Sequence, residues 1–194
     1  MPKSDTTSAV IDRILKISVT GSALSAGILI PNLLIGLEKP LEMFWKHMDK
    51  RQRERELKRV VSYMKSTQLL SGSYKHGLQI TKKGRERLKK FELANIRVKR
   101  QKQWDRQWRL IIYDVPESHK QGRNALTHKL NELGLYQLQR SAWLHPFPCR
   151  RVIEKITLYH RIDSYVSYIK TSHIDNQEEL IKRFSKKYPT TNFK

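Results

Sequence analysis

Apolar residues first recur at helical spacing at Val10, Ile11, Ile14 and Leu15, which predicts a helix starting near a Ser8 cap. Residues 17–37 then run for 21 positions without a charge, a length that could cross a bilayer as one helix. Pro31-Asn32 interrupts the most apolar part, and Ser18, Thr20, Gly21, Ser22, Ser25 and Gly27 dilute the rest. Two short buried helices meeting at Pro31 fit that pattern better than a span, because proline removes a donor and pushes its predecessor out of helical geometry. A membrane-tethered basic adaptor is the other reading of this stretch.

Residues 50–66 carry a clearer signal. Leu57, Val60, Val61 and Met64 make an apolar stripe at i, i+3, i+4 and i+7, and Arg51, Arg55, Lys58, Arg59 and Lys65 take the opposite face with Arg53 flanking. Glu54 and Lys58 form a favourable i,i+4 pair, and Glu56 can reach Arg59. Gln68-Leu69-Leu70 ends this helix, Ser71-Gly72-Ser73 reads as a turn, 74–77 as a second turn, and Leu78 and Ile80 around Gln79 as a short strand. Thr81 then caps a basic helix from Lys82 to about Glu92.

Polar, basic residues without apolar period separate the halves, giving a basic linker at 99–106 between domains at 1–98 and 107–194. The second half alternates element types. Residues 108–115 read as a strand closed by Pro116, 123–133 as a helix stopped by Gly134, and 135–145 as a second strand. A helix at 150–160, a strand at 165–169 and a last helix at 176–187 follow. This β-α-β-α-β order with one core predicts a ferredoxin-like (βαββαβ-type) domain, and the whole chain is expected to be α+β.

Charge narrows the function. The 194 residues hold 39 Lys+Arg against 18 Asp+Glu, a formal net charge of +21, divided as +11 over residues 1–98 and +10 over 99–194. A surplus of this size, spread through both halves, makes nucleic acid the expected partner and an anionic membrane the runner-up. A generally basic, solvated surface is the plainer alternative. Cys149 is the only cysteine, so an internal disulfide and a Cys-based zinc site are excluded, and a reducing cytoplasmic location is expected. No secretory signal pattern opens the sequence.

Familiar catalytic patterns are missing. The seven histidines show no H-E-x-x-H spacing, and there is neither a Walker loop nor a G-x-G-x-x-G. Cys149 at a helix start could be a stabilised thiolate, but no base is identifiable nearby, and a buried structural cysteine is the favoured reading. Trp104, Trp108 and Trp143 are expected in core and interface positions.

A helix, a small hairpin and a further helix follow the order of a winged helix-turn-helix, and "YMKSTQLL" and "LQITKKGRERL" resemble runs common in winged repressors. The resemblance covers roughly residues 8–98. On a DNA-binding reading Arg51, Arg53, Arg55, Lys58 and Arg59 contact phosphates or guanine edges, Lys75 and His76 sit on the wing, and Lys82 opens the following helix. Winged domains also serve as protein-interaction modules, and an amphipathic helix can simply be solvated.

The second half carries a more particular likeness. "WDRQWRLIIYDVPE" followed by "LNELGLYQLQRSAWLHPFPC" resembles the central domain of the PaaX-like repressor family, itself similar to the CRISPR-associated endonuclease that forms the small ferredoxin-like subunit of the spacer-acquisition complex. The resemblance implies a homodimeric regulator of double-stranded DNA, with a palindromic site and a minimal two-domain layout without the third domain of full-length repressors. It also implies an alternative: an endonuclease in which Asp114, shared across a dimer, is catalytic and binds Mg²⁺ or Mn²⁺, with an integrase-type CRISPR partner. Arg140, beside Ser141, matches the family's Arg-Ser pair and is expected to bind phosphate. A structural Asp114 in a turn or helix cap is the simpler alternative, and no cofactor is expected outside the nuclease reading.

Overall fold

The computed structural model describes residues 3–20, 42–73 and 77–193, and the chain divides into two compact units, Met1–Ala94 and Asn95–Lys194. Both mix helices with antiparallel sheet, so the chain is α+β.

In the first unit, helix α1 (Lys3–Thr20) begins before the expected Ser8 cap, and Ser8 lies inside it. Its apolar face is as expected: Val10, Ile11, Ile14 and Leu15 are all buried. They pack in one core with Leu57, Val60, Val61 and Met64 of α3 (Lys50–Ser66), which follows a single turn, α2 (Glu42–Trp45). The expected meeting of two short helices at Pro31 lies outside the described residues. No helix among the described residues is long and apolar enough to cross a membrane.

Two strands, β1 (Leu70–Ser73) and β2 (Gly77–Ile80), then pair antiparallel with Leu70 opposite Ile80 and Ser73 opposite Gly77. Ser71-Gly72-Ser73 is therefore strand and not turn. A small polar run reads as a turn in sequence, yet here Gly72 takes φ +94°, and a Cβ on it would lie 2.3 Å from the Gly77 carbonyl oxygen. Helix α4 (Lys82–Ala94) closes the unit. Its Thr81 cap accepts from the Gly84 amide at 3.0 Å and donates to the Gln68 carbonyl at 2.6 Å, which joins the start of α4 to the end of α3.

The second unit begins earlier than the sequence suggests. Residues 101–104, expected within a linker, pair with the chain's last segment: the Trp104 amide donates to the Asn192 carbonyl, the Asn192 amide to Lys102, and the Thr191 hydroxyl to Gln101. Trp104 explains this. It is buried against Trp108 and Phe193, and the area hidden by one such aromatic outweighs the polarity of its neighbours.

A four-stranded antiparallel sheet follows, in the order β4-β5-β3-β6. Its strands are β3 (Trp108–Tyr113), β4 (Tyr136–Gln139), β5 (Ala142–His145) and β6 (Val166–Thr171). Helix α5 (Lys120–Glu132) connects β3 to β4, α6 (Arg150–His160) connects β5 to β6, and α7 (Gln177–Lys187) comes last. The single strand expected over 135–145 is a hairpin turned at Arg140-Ser141. The element order is therefore β-α-β-β-α-β followed by a helix.

Strand alternation divides the central residues between two faces. Tyr113 and Trp143 point toward α5, where the Tyr113 hydroxyl meets Thr127 Oγ1 at 2.8 Å and accepts from Trp143 Nε1 at 3.2 Å. Trp108 and Leu144 face the other way and pack with Leu180, Phe184 and Tyr188 at the carboxyl end of the chain. The three expected tryptophans are all core residues.

Candidate nucleic-acid interface

Helix α3 begins at a reciprocal cap. Asp49 Oδ1 accepts from the Gln52 amide and Gln52 Oε1 accepts from the Asp49 amide, both at 2.8 Å. With the Leu57-Val60-Val61-Met64 stripe buried, the remaining face is set by geometry: Arg51, Arg55, Lys58 and Arg59 are exposed at i, i+4, i+7 and i+8. Tyr63 lies on the same face, 51% exposed. Sequence reading passed over it, although its position four residues beyond Arg59 was the available signal.

These cations are not equivalent. Arg59 is held by Glu56 through contacts of 2.9 and 2.5 Å, and that hydrogen bond raises the Arg59 pKa while holding the Glu56 carboxyl below its usual range. Arg53 does another job altogether. Its Nε donates to the Met48 carbonyl at 3.0 Å and its Nη2 to Trp45 at 3.3 Å, with the guanidinium 6.0 Å from the Trp45 ring centroid. That arginine ties α2 to α3, which removes it from the exposed set expected from sequence.

Behind α3, Lys82 is exposed in the first turn of α4, while Lys75 and His76 fall outside the described residues. Farther along α4, Arg85 donates to the Ile80 carbonyl at 3.0 Å, fixing the helix against β2.

In the second unit the sheet brings Asp114 and Arg140 to one end. The Tyr113 amide donates to the Ser141 carbonyl at 3.1 Å, which sets the Arg140-Ser141 turn beside the end of β3. Arg140 is exposed in that turn and not within a strand. Asp114 is also exposed, with its amide donating to Tyr165 at 3.1 Å. Its carboxylate has no hydrogen-bond or ion-pair partner among the described residues. It does not cap the following turn of helix, whose cap position is Pro116.

A divalent ion fits this end of the sheet poorly. Glu117, the acid nearest in sequence, is held by Lys120 at 2.8 Å and Arg123 at 2.9 Å, and these bonds lower its pKa. Among the described residues no three His, Cys, Asp or Glu side chains converge as a metal set. Fewer than three such side chains meet at this end of the sheet among the described residues, whereas Mg²⁺ is held in octahedral oxygen geometry. Cys149 is equally unsuited to nucleophilic chemistry, since burial pushes its thiol up to about 11.

Residues 101–181 match the family described as the PaaX protein central Cas2-like domain. The matched segment starts within the polar stretch that Trp104 anchors, and includes both Asp114 and Arg140. No curated protein matches the chain. Among solved structures, the uncharacterized protein Rv0674 from Mycobacterium tuberculosis aligns over 90% of this chain and 66% of that one, at 16% identity and a TM-score of 0.38.

Proposed function

We propose that the chain is a PaaX-like transcriptional regulator, a cytoplasmic repressor that binds double-stranded DNA as a homodimer. One observation carries the reading: α3 buries its apolar stripe, turns Arg51, Arg55, Lys58 and Arg59 outward, and is followed at once by a hairpin and a capped basic helix. That order is the one used by winged helix-turn-helix domains, in which the helix before the hairpin enters the major groove and the wing meets the backbone. Lys82 and Lys75 supply the flanking charge, and His76 stands beside them on the wing.

The PaaX-type domain supports the rest. Its β-α-β-β-α-β order and antiparallel strand order are those of a ferredoxin-like fold. Its role here is to join two protomers. Two copies of α3 would then reach half-sites about 34 Å apart, one turn of the duplex. Linking two weak contacts raises the overall affinity by orders of magnitude.

Selection from a random pool of duplexes, followed by footprinting, tests this. A palindromic footprint with paired protections one helical turn apart is expected, together with a dimer in sedimentation. A monomer that ignores duplexes in low salt would end the reading.

The exposed, unpartnered Asp114 carboxylate favours one second reading, an endonuclease whose site is completed by the Asp114 of another protomer. Labelled DNA and RNA incubated with Mg²⁺ or Mn²⁺ decide it. Cleavage abolished by Asp114→Ala supports the enzyme, and an integrase-type partner belongs to that case only. Intact substrate leaves the regulator.

A further inference from the structure

The arginines on the outer face of α3 are of two kinds. Arg51 and Arg55 are exposed and make no hydrogen bond or ion pair among the described residues. Arg59 lies one turn beyond Arg55, and its guanidinium is fixed. Its Nε donates to Glu56 Oε2 at 2.9 Å and its Nη2 to Glu56 Oε1 at 2.5 Å. Two parallel bonds of this kind set the plane of the group as well as its place.

The pair has a direction. The Glu56 side chain is 24% exposed and that of Arg59 is 64% exposed, so the carboxylate lies closer to the protein and the guanidinium projects into solvent. Glu56 occupies the Nε–Nη2 edge. The Nη1–Nη2 edge, with one N–H from each nitrogen, is left without a partner among the described residues. That fork matches O6 and N7 of guanine in the major groove. An exposed i,i+3 ion pair adds little to stability, so its chief effect is to hold the guanidinium still. An arginine already held loses less rotamer freedom on docking against one base than a free one does. Glu56 also repels any phosphate that approaches without a base at the fork.

We propose that Arg59 reads a guanine in each half-site with Glu56 as its positioning residue, while Arg51 and Arg55 neutralise backbone phosphates. This rests on the reading of α3 as the helix that enters the major groove.

Selection from a random duplex pool, run in parallel on the full chain and on its Glu56→Ala and Arg59→Lys variants, tests it. Alanine keeps the helix, and lysine keeps the charge but loses the fork. The natural sequence should select a guanine in each half-site that neither variant selects. Replacing that base pair in one half-site should weaken binding of the natural sequence about 5- to 150-fold, and that of either variant less than about twofold. Glu56→Ala should also bind random duplex more tightly, because a repelling carboxylate has gone. Arg55→Gln should weaken binding to both duplexes by the same factor. An ion pair that only supports the helix would move Tm and leave the base preference untouched.

One consensus shared by the natural sequence and both variants overturns the assignment and leaves the regulator reading standing. A guanine preference lost in Arg59→Lys but kept in Glu56→Ala removes the positioning role. If the natural sequence binds no duplex at all, both readings fall together.

Discussion

Arg87 Nε lies 2.8 Å from Asp12 Oδ1, an ion pair between residues 75 positions apart that ties α4 to α1, and the same guanidinium reaches the Ser8 hydroxyl at 2.9 Å. Asp12 is 7% exposed on a helix whose neighbouring residues form the core. The pair therefore fixes the scaffold on which α3 rests.

Asp12→Ala should lower stability by about 1.5–3 kcal/mol, the range for a hydrogen bond to a charged group. Urea unfolding followed by far-UV circular dichroism measures it. A change below the scatter typical of surface substitutions would remove the pair from the account.

Arg53 and Arg55 should separate cleanly. Arg53→Gln breaks two bonds to backbone carbonyls and should cost about 1–2 kcal/mol of stability. Arg55→Gln should leave stability within about 0.5 kcal/mol and make the salt dependence of duplex binding shallower by about 0.9. Melting curves and binding isotherms at several salt concentrations, run on both variants, would contradict the assignment if the two roles were exchanged.

Gly84 sits inside α4, where alanine normally gains about 1 kcal/mol over glycine. Here a Cβ would fall 2.2 Å from the Leu69 carbonyl oxygen and 2.8 Å from Ile80 Cγ1. Backbone cannot yield as a side-chain tip can, so Gly84→Ala should be destabilising by roughly 1–3 kcal/mol net. A thermal melt that rises instead would show that the hairpin and α4 can move apart freely.

His145 gives the fold a pH dependence. Its folded pKa is near 4 because burial disfavours the imidazolium, against about 6.5 when unfolded. Between those values the unfolded chain binds more protons, so stability rises with pH through the window. The contribution is complete above about pH 6.5, and roughly 3 kcal/mol is lost as pH falls to 4. Denaturant titrations at pH 7, 5.5 and 4.5 should show a flatter trend for His145→Gln than for the natural sequence; parallel trends would sink the assignment.

Periodic burial was the legible part of this chain. The stripes of α1 and α3 and the tryptophans of the second unit all follow from spacing and size, because each hides a large apolar face. Local polarity misled in three places. Ser71-Gly72-Ser73 and the Arg140-Ser141 turn differ from expectation because backbone pairing, not side-chain type, fixes where a hairpin reverses. Residues 101–104 look like a linker because their partners, Thr191, Asn192 and Phe193, are almost ninety positions away. The same limit hid the role of Arg53, whose partners are backbone carbonyls with no signature in side-chain sequence.

The pairing of Gln103 with Asn192 is parallel. Tension applied between the start of the second unit and its carboxyl end would thus load the hydrogen bonds around Trp104 sideways and together, instead of peeling them singly. Such a clasp shares a pull along the chain among the Trp104–Asn192, Asn192–Lys102 and Thr191–Gln101 hydrogen bonds at once.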